Sequence, residues 1–95
     1  MHVNSEQDVF EHIVHILRNF EGQEYSGPIE RDTMFFADMG FASIDAVLLG
    51  EQMESTFNRR FPFNELLMEL QAEGVEDMPI GRLSAFVYQD LSSSQ

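Results

Sequence analysis

The chain has 95 residues, 43% of them apolar, which suits one small domain with a thin core. It contains no cysteine, and this excludes a disulfide framework, a thiol nucleophile and a thiolate metal site. Seventeen acidic residues face five arginines and no lysine, a net charge of −12; Schiff-base chemistry is excluded, nucleic acid and anionic membranes are repelled, and basic protein surfaces are attracted.

No apolar run approaches the roughly 20 residues of a membrane span. The N-terminus lacks the basic stretch and apolar core of a secretory signal, so a cytoplasmic protein is expected. Met1 is what a free-standing protein, rather than an excised domain, is expected to begin with. The acids also serve solubility.

Ser5-Glu6-Gln7-Asp8 has the layout of a capping box, with Asp8 in place of the usual Glu or Gln. Val9, Phe10, Ile13, Val14, Ile16, Leu17 and Phe20 follow at helical spacing, and Gly22 is a stop signal. A first helix over about 5–21 is predicted. His12 and His15 lie on it three residues apart, a spacing that can hold a metal. No acid or cysteine completes a set with them, so they read as surface or boundary histidines.

Residues 22–42 form a long connection carrying the Gly27-Pro28 turn signal. Loops of this length without regular structure are uncommon in small domains. Ile29, Phe35, Phe36 and Met39 are expected to pin it to the core. The connection ends in Asp38-Met39-Gly40-Phe41-Ala42-Ser43-Ile44-Asp45. Here a glycine ends a turn, and three residues later a serine stands at a predicted helix start. A serine oxygen there can cap the free amides of the first turn. A phosphate esterified to it would sit beside those same amides and the positive end of the helix dipole. Spacing alone leaves both readings open.

A second helix is predicted over 43–57. Ala46, Gly50, Met53 and Phe57 share the face expected to meet the core, where Gly50 permits close helix approach. Ile44, Leu48, Glu51 and Ser55 fall on the opposite face. Asp38, Asp45, Glu51 and Glu54 bring four acids and no base to this stretch. A small apolar patch rimmed by one sign of charge suits transient docking, which makes Asp38, Ile44, Asp45, Leu48, Glu51 and Glu54 the expected partner-binding residues.

The segment 58–63 is a turn with aromatic anchors, and its Arg59-Arg60 pair is too small for a nucleic-acid footprint. Asn64 is the expected cap of a short third helix over about 64–73, burying Leu66, Leu67 and Leu70, with Gly74 as its stop. Pro79 suits the first turn of a fourth helix over about 79–91, which buries Ile80, Leu83, Val87 and Leu91 with Phe86 adjoining. Residues 92–95 read as a frayed tail or the start of a linker.

The segment 38–44 resembles the D-L-G-x-D-S-L signature of acyl carrier proteins. Asp32-Thr33-Met34-Phe35-Phe36 is similar to the family's lead-in to that signature. Met53-Glu54-Ser55-Thr56-Phe57 is similar to the end of its second helix, and the segment 79–87 to its last helix. These segments cover most of the chain in the family's order. Ala42 stands where the family usually has aspartate, and the third-helix region looks longer than the usual pattern. The resemblance implies an all-α fold, a four-helix bundle of the acyl-carrier type with a long first loop and a short third helix. It implies that Ser43 carries 4′-phosphopantetheine, attached by a phosphopantetheinyl transferase. That arm holds acyl groups as thioesters for fatty-acid, polyketide or related biosynthesis, and its thiol belongs to the cofactor. The expected partners are acyl-loading, condensing or modifying enzymes with basic docking surfaces, the chain itself being a non-catalytic monomer that engages neither membrane nor nucleic acid.

Two other readings compete. A serine hydrolase needs a base and an oxyanion site beside Ser43. The G-x-S-x-G elbow is missing, and only His2, His12 and His15, all near the N-terminus, could supply the base. An unmodified acidic interaction module that keeps the carrier fold is the alternative, favoured by Ala42. A calcium bundle is discarded because no D-x-[DN]-x-[DN]-G loop is present.

Overall fold

In the computed structural model, which describes residues 5–20 and 22–93, four helices carry most of the chain. Helix α1 spans Glu6–Arg18. Ser5 is its N-cap, with an extended backbone and an Oγ that accepts from the Asp8 amide at 3.3 Å. Acids in the first turn and Arg18 in the last complement the helix dipole. Its core stripe is Val9, Ile13, Ile16 and Leu17.

The helix ends at Arg18, three residues short of the expected boundary at 21, and position 21 itself lies outside the described residues. Asn19–Phe20 (β1) instead pairs antiparallel with Gln23–Glu24 (β2), Asn19 opposite Glu24 and Phe20 opposite Gln23. Gly22, at φ +76°, supplies the turn backbone that other residues resist. The Arg18 guanidinium donates to the Tyr25 carbonyl at 3.1 Å and to that of Gly27, closing the loop that follows. Helical spacing ran through Phe20 because the two-residue strand buries the same apolar residue that a longer helix would.

From there to Ser43 the chain is irregular but anchored. Ile29, Phe35 and Met39 are buried as expected, and Phe36 is half-buried against them. Residues 34–40 close into one helix-like turn through Asp38 N to Met34 O (3.0 Å) and Gly40 N to Phe36 O (3.0 Å). This turn is tied to the connection after the third helix. The Phe35 amide donates to the Met78 carbonyl at 3.1 Å, and the Asp77 carboxylate accepts from the amides of Phe36 (2.8 Å), Ala37 (2.9 Å) and Met78 (2.7 Å). Asp77 had no sequence signal, because two of its three partners, Phe36 and Ala37, are about forty positions away.

Helix α2 spans Ser43–Phe57, as the spacing predicts. Its buried side is Leu49, Gly50, Met53 and Phe57, with Ala46 half-buried at the margin. Asn58 ends it in the left-handed region at φ 56°. Helix α3 spans Phe63–Ala72, with Pro62 rather than Asn64 at the cap position; Asn64 is already inside the helix and exposed. Gly74 at φ +78° terminates it, as expected, with the Val75 amide donating back to Leu70 O at 2.8 Å. Leu66 and Leu70 are buried, whereas Leu67 is 50% exposed, contrary to expectation. Helix α4 spans Ile80–Ser93, so Ser92 and Ser93 are helical rather than frayed. Ile80, Leu83 and Val87 are buried and Leu91 half-buried.

Helices α1 and α4 are the closest pair. They are stitched by Glu6, which accepts from the buried Ser84 hydroxyl and from Arg31, whose guanidinium also lies 4.6 Å over the Phe10 ring. Arg82 forms a two-pronged bridge from α4 to Glu73 beyond α3 at 2.6 and 2.8 Å. Arg59, after α2, pairs with Asp90 of α4 at 2.9 Å. Gly81 admits the closest backbone approach. A Cβ there would lie 2.8 Å from Arg31 Cβ and 2.9 Å from Arg31 O. Gly81→Ala is therefore expected to cost about 1–3 kcal/mol by forcing the first loop off α4, measured by urea unfolding. A cost below about 0.5 kcal/mol would mean that the loop yields freely.

The Arg31 guanidinium is the main cause holding the Glu6 carboxyl below its ordinary 4.5, against desolvation and with help from Ser84. Burial pushes the Asp77 carboxyl up, but the amides of Phe36, Met78 and Ala37 outweigh it, and the net direction is below 3.8. Both groups bind protons more readily in the unfolded chain. Their contribution is thus in place above the ordinary carboxylate range and is lost as pH falls through the lower folded values. The destabilisation caused by Glu6→Gln or Asp77→Asn is expected to be full at neutral pH and to shrink toward pH ~3. Melting curves taken across that range check it, and a penalty that stays constant with pH contradicts it.

Candidate functional site

Ser43 is the first residue of α2 and is exposed. The N-cap position belongs to Ala42, which has no side-chain acceptor to offer, so the helix start is held from the other side: the Asp45 carboxylate accepts from the Ala42 amide at 2.8 Å. The serine hydroxyl is therefore not committed to capping. Gly40, at φ +77°, turns the chain from the 34–40 turn toward the helix, a conformation that disfavours other residues.

Ser43 also borders a cavity of about 620 Å3 between α2 and α3. Its walls are mostly apolar, with Ala46, Leu49, Gly50 and Met53 from α2, Phe63 and Leu66 from α3, and Phe36, Met78 and Leu83 closing it, while Glu51 and Glu54 also border it. The two helices meet where Gly50 faces the Phe63 ring, at 3.3 Å from an added Cβ. Small residues at 46 and 50 leave the space open. A cavity with such walls excludes water from an apolar guest and stabilises it by roughly 25 cal/mol for each Å2 removed from solvent.

The residues expected to dock a partner are not all on one free face. Ile44 is 63% exposed and Glu51 is exposed. Leu48 is half-buried and packs against the core, so the reading that the core does not account for it is corrected. The second exposed aliphatic on α2 is Val47, at 58%. Three consecutive apolar residues, Val47-Leu48-Leu49, let the helix rotate by one position without changing its pattern, and only packing chose Leu49 for the core. Three of the four acids have local work besides carrying charge. Asp38 accepts from the Met34 amide at 2.8 Å, Asp45 holds Ala42, and Glu54 accepts from the Phe61 amide at 2.9 Å. Leu67 and Met68 of α3 are exposed as well, and Val47 and Leu67 both lie on the rim of the cavity.

Among the described residues, no histidine is shown beside the serine. His12 lies edge-on to Phe57 with ring centroids 5.7 Å apart, at the opposite end of α2 from Ser43. Fourteen residues of helix separate the two, about 21 Å. His15 is exposed on α1, and His2 lies outside the described residues. Among the described residues no three His, Asp or Glu side chains come together as a metal centre, and no helix is long and apolar enough to cross a membrane.

Comparison with family models, with characterised proteins and with solved structures finds no match to this chain. Its function is therefore argued from the site itself.

Proposed function

We propose that the chain is an acyl carrier protein, a four-helix bundle of the acyl-carrier type that carries 4′-phosphopantetheine on Ser43 and holds acyl intermediates as thioesters for partner enzymes. The observation that carries this reading is the position of Ser43: exposed, first in its helix, free of the cap, and at the edge of a 620 Å3 apolar cavity. A phosphodiester on its Oγ would lie beside the amides of the first helical turn. An acyl group at the end of the arm would have an apolar space within the same domain. The D-M-G-F-A-S-I segment, similar to the carrier signature, supplies the same assignment from the sequence side.

A serine hydrolase is disfavoured by the placement of His12, which leaves Ser43 without a base from that residue. In the carrier reading the chain performs no catalysis. It works in the cytoplasm as a monomer, and its net charge opposes self-association. The deciding experiment is intact mass after co-expression with a broad-specificity phosphopantetheinyl transferase. A gain of one phosphopantetheine supports the proposal. No gain with any transferase favours the unmodified interaction module.

Partners would reach the arm across Ile44, Val47 and Glu51, flanked by Asp38, Asp45 and Glu54. Glu51 is the acid best placed to steer a basic surface, because it is exposed and holds no backbone amide in the manner of the other three. Glu51→Arg is expected to leave the melting temperature unchanged and to slow acyl transfer to a partner about tenfold at low salt. The defect should shrink near 1 M salt, where screening shortens to about 3 Å. Unchanged transfer at low salt would place docking elsewhere.

A further inference from the structure

A second cavity of about 490 Å3 lies beyond the first, bordered by Leu70, Val75 and Asp77 among others. Phe36, Leu67 and Met78 line both cavities and so form the wall between them. These three side chains come from three separate parts of the fold: the 34–40 turn, α3 and the connection into α4. Two of the three are held by one residue. The Asp77 carboxylate takes the Phe36 and Met78 amides on one oxygen, at 2.8 and 2.7 Å, and the Ala37 amide on the other, at 2.9 Å. The third, Leu67, is half exposed and is held only by its helix. A carboxylate with three backbone donors is a strong local clamp. Cutting it removes the side-chain ties on the backbone where two of the three wall side chains stand, and leaves the bond from the Phe35 amide to the Met78 carbonyl as the nearest remaining link.

We propose that Asp77 is a positioning residue that limits the length of the aliphatic chain taken up beside Ser43: while it holds Phe36 and Met78, the chain stops at the shared wall, and when it is removed the two cavities join. The inference rests on the carrier reading for its biological meaning, since the aliphatic chain would be the cargo of the Ser43 arm. Its test does not need the arm.

Unmodified protein is titrated with n-hexanol and n-decanol, with methyl resonances as the readout. Met53 and Leu66 report on the first cavity alone, and Leu70 and Val75 on the second alone. Each buried methylene tightens binding about fourfold, so affinity stops rising where the cavity ends. In the wild type both alcohols are expected to shift only Met53 and Leu66, with decanol no more than about fourfold tighter than hexanol. In Asp77→Ala, which removes both acceptor oxygens, decanol is expected to shift Leu70 and Val75 too, and its advantage to grow by about tenfold or more. A change in stability alone would not produce this dependence on chain length. A folded Asp77→Ala with the wild-type ratio overturns the proposal. Should that variant not fold, the wild type still decides. Decanol that reaches Leu70 and Val75 while the Phe36 and Ala37 amides stay protected from exchange shows that the clamp does not close the wall. Decanol that halts at Met53 and Leu66 supports it. Failure of either alcohol to bind also overturns it. None of these results depends on the mass measurement that tests Ser43.

Discussion

Ser43→Ala is expected to abolish phosphopantetheine attachment completely while leaving the domain as stable as before. In the proposed carrier reading the attachment would form a phosphodiester on the serine oxygen, and alanine has none to offer, so the effect on the mass spectrum is all or nothing. Stability should not move because the hydroxyl does little for the fold. Ser43 is exposed at the first helical position, Ala42 occupies the cap, and Asp45 holds the Ala42 amide whatever stands at 43. Alanine is also the better helix former. The change should stay within about 0.5 kcal/mol, as for surface substitutions generally. The contrast between lost modification and kept stability separates a functional serine from a structural one. Intact mass and a melting curve on the same samples provide both numbers. Modification that persists in Ser43→Ala refutes the assignment. A large drop in melting temperature would instead return Ser43 to the role of a structural cap.

Phe35→Ala is expected to cost the most stability of any single truncation in the first loop, about 3–5 kcal/mol. The ring is fully buried, with the Phe36 and Phe41 rings at centroid distances of 5.1 and 4.9 Å. Its own amide binds Met78 O, so the ring sits where the loop meets the α3–α4 connection. An alanine would leave a void that neither the short turn at 34–40 nor the start of α4, whose Ile80 and Gly81 amides are held by the Thr33 and Arg31 carbonyls, can collapse into. Small domains hold only about 5–15 kcal/mol in total. At ~4–8 °C per kcal/mol, the melting temperature should fall by on the order of 20 °C. Ile44→Ala, at a 63% exposed site, is the control and should be close to neutral. Urea unfolding of the two variants checks both. A cost below about 1 kcal/mol for Phe35→Ala would mean that the long loop is not pinned through this ring.

The core-facing turn of a helix is legible in sequence only where one register is better than its neighbours. On α1 and α4 it is. Exposed Glu11 and His15 mark the outer side of α1, Ile80, Leu83 and Val87 stand three and four apart on α4, and Val9, Ile13, Ile16 and Leu17 as well as those three are buried as expected. On α2 the run Val47-Leu48-Leu49 makes adjacent registers nearly equal. The expected core face was right at Gly50, Met53 and Phe57, missed Leu49, and left Leu48 on the wrong side. On α3 the pair Leu66-Leu67 poses the same ambiguity, and Leu67 turned out on the rim of the cavity.

Local chemistry was sufficient wherever a few adjacent residues decide the backbone. The bounds of α2, the Ser5 cap, the stop at Gly74 and the exposure of Ser43 at a helix start all follow from capping groups, glycines at positive φ and helical spacing within one or two turns. Tertiary structure decided whatever depends on groups brought together from far along the chain. The Asp77 carboxylate meets amides some forty positions earlier, and the Ser84 hydroxyl meets Glu6 across the whole domain. The apolar cavity beside Ser43 exists because Gly50 and Ala46 of one helix face Phe63 and Leu66 of another. No stretch of sequence encodes an empty volume, because it is the difference between two packed surfaces and takes its shape only when both are in place.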